Sequence, residues 1–129
     1  MNFRPLTGLL LACLLSGAPT LAHHSITGVY DSTKKIELSG TVSKVDWINP
    51  HIYVYLDVKD AAGKVQTWKF ESIPVAFARK AGLTKERMSA PGQVLKVTGY
   101  PARNGTPGLA VMTRVDYPDG TFVLTVPGL

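Results

Sequence analysis

The chain has three histidines, His23, His24 and His51. The first two stand in Ala22-His23-His24-Ser25, directly after a segment with the tripartite pattern of a secretory signal. Cleavage after Ala22 would make His23 the mature N-terminus. Such a residue carries two nitrogen donors, its α-amine and its ring Nδ1, which together close a six-membered chelate ring. Reference pKa values of ~7.7–8.0 for the amine and ~6.5 for imidazole leave both partly available as neutral donors near pH 7. A second imidazole opposite them completes a T-shaped set of three nitrogens, and nitrogen-rich tetragonal sets suit Cu(II) above the other common divalent ions. His51 is the expected second imidazole. It follows Asn49-Pro50 at the start of a predicted strand and points away from the predicted core. A variant site uses the amine, the His24 amide nitrogen and the His24 ring. In a metal-free reading, His23 and His24 are a polar start to the domain and His51 bonds a backbone carbonyl near the Asn49-Pro50 turn.

The segment before His23 sets the conditions for this chemistry. Arg4 gives a weakly positive start, Leu9 to Leu15 form the apolar stretch, and Thr20 and Ala22 are the small residues at −3 and −1. The apolar stretch is far short of the ~20 residues that span a bilayer, and no longer one follows. The expectation is an exported chain, periplasmic or secreted, without a transmembrane segment. Leu10-Leu11-Ala12-Cys13 is also a loose lipobox. Lipidation of Cys13 would leave His23 inside the chain, with no free amine.

Removing residues 1–22 leaves 129 − 22 = 107 residues, enough for one small domain. Cys13 is the only cysteine and leaves with the signal, so disulfides and thiolate metal sites are excluded. The net charge changes from 14 − 9 = +5 to 13 − 9 = +4 with the loss of Arg4. The positive charge is spread, its longest runs being Lys34-Lys35 and Arg79-Lys80. A nucleic-acid footprint needs basic charge clustered with aromatics on one face, so no nucleic-acid partner is expected. A metal ion or an anionic cell-envelope component is the expected partner.

Alternating segments separated by turn residues position these groups. Ile36 to about Trp47 reads as a long first strand, with Leu38, Gly40 and Val42 on one face. The phase then slips towards Val45 and Trp47, the mark of a bulge or strong coil. His51 to Asp57 or Val58 alternates cleanly: Ile52, Val54, Leu56 and Val58 face the core, while His51, Tyr53, Tyr55 and Asp57 face out. Asp60 to Lys64 is a hairpin loop, and Val65 to Glu71 the third strand, with Trp68 and Phe70 inward. A short helix follows, with Ser72 as the expected N-cap, Val75 to Ala78 as its apolar side and Gly82 after its end. Thr84 to Met88 adds a further turn. Strands Val94 to Tyr100, Leu109 to about Val115 and Thr121 to Val126 complete the chain, with Pro101 to Gly108 as a loop. The fold class is all-β with one short helix. Strand, strand, strand, helix, strand, strand is the element order of the OB-fold, here an OB-like antiparallel barrel of five to six strands. An open β-sandwich is the alternative.

Around the histidines, Tyr53 and Tyr55 are candidate hydrogen-bond donors to ligands or an axial phenol, or else cross-strand packing partners. Asp31, Asp46 and Glu71 are candidate carboxylates behind the ligands, or surface charges. Trp47 and Trp68 read as packing or as a ligand platform. No G-x-S-x-G, H-E-x-x-H or phosphate-binding glycine loop occurs, and no carboxylate pair suggests acid–base work.

The chain resembles a family of small exported bacterial proteins of unknown function. The matching residues are His23-His24-Ser25, Tyr30-Asp31, Gly40-Thr41-Val42, Trp47-Ile48-Asn49-Pro50-His51, Trp68-Lys69-Phe70-Glu71 and Gly99-Tyr100-Pro101-Ala102. Ile26 stands where the family usually has phenylalanine, a neutral core exchange. The resemblance covers nearly all of the mature chain and implies export, but assigns no activity. Three functions follow from the residues. The first is an exported binding protein that takes a Cu(II)-like ion for handling, delivery or storage. The second is a metal-free envelope adaptor that binds a protein or polysaccharide through the barrel face and the Pro101 to Gly108 loop. The third is a copper-dependent redox enzyme.

Overall fold

The computed structural model describes residues 26–126, so the expected signal segment, Cys13, His23 and His24 lie outside the described residues. Six strands are present: β1 (Ile36–Asp46), β2 (Tyr53–Lys59), β3 (Val65–Glu71), β4 (Val94–Pro101), β5 (Leu109–Asp116) and β6 (Phe122–Leu124). Short helices lie at α1 (Ile26–Val29), α2 (Val75–Ala81) and α3 (Lys85–Met88). The strand order is β3-β2-β1-β4-β5-β6, and β3 also pairs with β5, which closes the first five strands into a barrel. This is the OB-like barrel expected from the element order, and an open sandwich is not formed. One feature departs from a purely antiparallel barrel: the closing β3–β5 pair is parallel, with Phe70 opposite Ala110 and Glu71 opposite Val111.

β1 is long because it serves two neighbours. Ile36 to Thr41 pair with β4, and Thr41 to Asp46 pair with β2. The register of the second half shifts between Val42 and Lys44, which is the predicted phase slip. An extra residue there bends the strand and raises its twist, which lets one strand turn from one neighbour to the next. Gly40 and Gly99 sit where backbones meet. A Cβ on Gly40 would stand 2.5 Å from the Asp57 carbonyl oxygen, and one on Gly99 would stand 2.0 Å from that of Val111. Gly99 also adjoins a register shift in the β4–β5 pair.

The inward faces of the strands supply Val54, Leu56, Phe70, Leu95, Val97, Met112 and Val115, all fully buried together with Ile52, Leu83 and Met88. Burying a side chain of this size contributes about 1.5–3 kcal/mol. α2 and α3 lie at the barrel end where β3 stops and β4 starts, and send Ala78, Leu83 and Met88 into the core.

The start of α2 differs from expectation. Ser72 does not cap it. Its side chain is buried, its backbone N–H donates to Ile52 O at 2.8 Å, and Pro74 holds the cap position without a side-chain cap. Proline disfavours helical backbone at the residue before it, so the helix cannot start earlier. The apolar side of α2 is also narrower than expected. Ala78 is buried and Val75 and Ala81 pack on the core, but Phe77 is 62 % exposed. Gly82 ends the helix in the left-handed region at φ 91°, as expected, and Thr84 caps α3 by accepting from the Arg87 N–H. α1, one turn before Tyr30, was not foreseen. No helix among the described residues is long and apolar enough to cross a membrane.

Candidate functional site

Strand alternation turns Phe70 into the barrel and Glu71 out of it. Glu71 is the last residue of β3 and pairs with Tyr53, the first of β2. The pairing continues beyond the strands: Ser72 N–H donates to Ile52 O, and Ile52 N–H donates to Ile73 O at 3.4 Å. This brings His51, after the cis Asn49-Pro50 bond, alongside Glu71. His51 Nδ1 hydrogen-bonds Glu71 Oε1. The bond from His51 to a carbonyl near the Asn49-Pro50 turn, given by the metal-free reading, is absent among the described residues, and the Glu71 carboxylate is the partner instead.

The other oxygen of Glu71 accepts from Tyr30, with Oη to Oε2 at 2.5 Å. Tyr30 is buried, and desolvation, followed by the bond to Glu71, holds its phenol protonated far above the usual tyrosine range. It is therefore a donor at any ordinary pH. With a carboxylate as the acceptor, His51 Nδ1 is the donor, and the neutral form of the ring then has its lone pair on Nε2. Among the described residues, nothing bonds Nε2. The His51 side chain is 37 % exposed and that of Glu71 22 %.

Tyr30 is held from its own side. It forms an isolated bridge with Ala102, and Asp31 N–H donates to Pro101 O at 2.9 Å. Arg103 clamps the turn before it: its backbone N–H donates to Val29 O at 2.8 Å, and its guanidinium donates to Thr27 O at 2.9 Å and Tyr30 O at 3.3 Å. Tyr30 N–H closes α1 onto Ile26 O at 2.8 Å. The described chain thus begins one helical turn from the phenol that rests on Glu71.

The other expected site residues divide. Tyr53 shares the outer face with Glu71. Its phenol is raised by partial burial and then by the charge of Glu71, and Lys69 Nζ lies 4.2 Å from its ring centre. Tyr55 is one step further from the site, with Lys44 Nζ 5.0 Å from its ring and its phenol raised by burial and a bond to Asp46. Asp46 is held below the usual carboxylate range chiefly by Lys44, at 2.8 Å. Asp31 serves its own turn: Oδ1 accepts from the Thr33 hydroxyl at 2.6 Å and Oδ2 pairs with Lys34 at 3.3 Å. Trp47 and Trp68 are half-buried against the core. No cluster of three His, Cys, Asp or Glu side chains occurs among the described residues. Sequence reasoning missed Tyr30 as part of the site and the pairing of His51 with Glu71. The face shared by His51, Tyr53 and Glu71 was the available signal for the second.

A fixed imidazole of this kind can act at Nε2 as a metal ligand, with Glu71 behind it, or take up a proton there. The family model for DUF6152, a family of unknown function, matches residues 10–110. The chain belongs to this family. No curated protein and no solved structure matches it. Within this DUF6152 chain the His51–Glu71–Tyr30 arrangement is built from β3, the approach to β2 and the turn after α1. All of these elements fall inside the matched residues.

Proposed function

We propose that this protein is exported and binds a Cu(II)-like ion through His51 and the mature N-terminal His23, for handling or delivery. The observation that carries the reading is the hydrogen-bonded row His51–Glu71–Tyr30. A histidine ligand almost always gives its second ring nitrogen to a carboxylate or carbonyl, which fixes tautomer and orientation and raises basicity. His51 has that partner, and its Nε2 is unbonded among the described residues. Tyr30 supplies the second support. The chain preceding it rises only ~6 Å over one turn of helix back to Ile26, and three further extended residues reach ~10 Å. His23 and His24 are therefore tethered within about 16 Å along the chain of Tyr30, the residue that holds Glu71. The variant site through the His24 amide nitrogen and ring needs the same tether but not His51. A copper-dependent redox enzyme would use the same ligands and additionally turn over reductant and oxygen. A metal-free adaptor instead uses the barrel face and the Pro101 to Gly108 loop.

The test is Cu(II) titration of the chain beginning at His23. His51→Ala and a form whose N-terminal amine is acetylated should each weaken binding at least about tenfold, because each removes a donor from a chelating set. Glu71→Gln should weaken it about 10–100-fold through the ring it orients. Loss in the acetylated form alone selects the His24 variant. Unchanged affinity in both His51→Ala and the acetylated form leaves the adaptor as the better account. Intact mass of the natively exported protein decides whether His23 or a lipidated Cys13 starts the chain.

A further inference from the structure

The two ends of the barrel are finished differently. α2 and α3 cover one. At the other, beside the β2–β3 hairpin, a cleft of about 610 Å³ opens, lined by Leu38, Val58, Val65 and Trp68 with Lys59 and Lys64 among the polar residues around it. Volumes of 300–1,000 Å³ are usual for small-molecule sites. Trp68 is anchored on the core: its ring stacks on Phe70 with centroids 6.1 Å apart and planes at 26°. Leu38 and Val58 pack on the core as half-buried residues, and Val65 is 49 % exposed. The walls are thus apolar, with an indole among them.

The charge around the cleft has a sign. Asp60, its one carboxylate, is turned onto its own loop, where Oδ1 accepts from the backbone N–H groups of Ala62 and Lys64 at 2.9 Å each. Lys59 and Lys64 form no ion pair among the described residues. An aromatic ring gains from offset stacking on an indole beyond the area it buries, and an acid group on that ring meets two ammonium groups. We propose that this end of the barrel is a binding site for a small aromatic monoanion, its ring system against Trp68 and its carboxylate or sulfonate towards Lys59 and Lys64. This site is separate from His51 and needs no metal.

The test uses 1-anilinonaphthalene-8-sulfonate, a flat aromatic monoanion, with its neutral relative N-phenyl-1-naphthylamine as control. Fluorescence titration of the purified protein should give one saturable site for the sulfonate. Lys59→Glu with Lys64→Glu replaces two attractive charges by two repulsive ones. It should weaken the anion at least about tenfold and change the neutral probe less than about twofold. Val65→Glu, an exposed position on the wall, should weaken the anion to a similar degree. Both lie on the surface, and unchanged melting temperatures show that the barrel is intact. Lys59→Gln with Lys64→Gln should fall between wild type and the charge reversal. Absence of a saturable site overturns the proposal, as does anion binding that stays as tight as in wild type in both the charge-reversed protein and Val65→Glu. Equal losses for the anion and the neutral probe overturn the assignment of Lys59 and Lys64.

Discussion

Tyr30 is 3 % exposed, and Tyr117, beneath the Arg87 guanidinium, is 5 % exposed. Burial is the main cause that raises both phenols, and Glu71 adds to it for Tyr30. In the unfolded chain a tyrosine titrates near ~10. With the folded values raised above this, the stabilisation is fully present below about pH 10. It is lost as pH rises towards the folded values, because the unfolded state then binds fewer protons. Urea unfolding between pH 8 and 11 should show stability falling above about pH 10. Tyr30→Phe should flatten that fall, and at pH 7 should cost about 1.5–3 kcal/mol, the usual worth of a hydrogen bond to a charged group. Lysine deprotonation affects both proteins alike, so the difference between them isolates Tyr30. Identical pH slopes would remove Tyr30 from this role. Of the site, His51, Tyr53 and Glu71 were legible as single residues with roles to fill. Tyr30 was not, because its partner is 41 positions away and nothing local announces the pairing.

At the scale of elements, β1 shows how a local pattern carries structural information. The phase slip after Val42 is visible in the order of side chains, and the bulge follows because inward residues must stay inward on both halves of the strand. Gly99 is harder to read. Its φ lies outside the left-handed region, and only the close approach of Val111 O explains why no side chain fits. Gly99→Ala should destabilise the protein by at least about 2 kcal/mol, since backbone has to move to admit the methyl group. Gly63→Ala is a useful contrast: open space surrounds it but φ is +81°, so its cost is backbone strain alone. Chemical denaturation of both variants measures the two effects. A Gly99→Ala protein as stable as wild type would show that β4 and β5 are not packed this closely. The start of α2 was misread because Ser72 has a capping side chain, whereas Pro74 sets the backbone and strand pairing carries Ser72 into the interior.

For the molecule as a whole, Phe70 is the joint of the barrel. It is fully buried, pairs with Val54 on one side and Ala110 on the other, and supports Trp68. Phe70→Ala should cost about 3–5 kcal/mol, a large share of the ~5–15 kcal/mol that holds a domain of this size together. Because β3 closes the barrel, the loss should appear as one cooperative transition at lower denaturant. Fluorescence and far-ultraviolet circular dichroism followed together test this. Two separated transitions would mean that β1, β2 and β4 hold without closure. Deepening of the barrel-end cleft should also weaken binding of the aromatic anion, because Trp68 loses the ring it stacks on.

The sequence by itself determined the strands, most of their inward faces, the hairpin at Asp60 to Lys64, the helix between β3 and β4 and the OB-like order. These depend on side-chain period and on glycine and proline positions, which act over a few residues. It also presented His51 as a residue free to do chemistry. Tertiary structure decided the parallel closure of β3 on β5, the docking of α1 through Arg103, and the union of His51, Glu71 and Tyr30. Each joins residues far apart in the chain whose meeting depends on how the whole sheet curls, and no local period encodes that curl. The carboxylate behind His51 is therefore a property of the closed barrel, although every residue in it stands in plain view in the sequence.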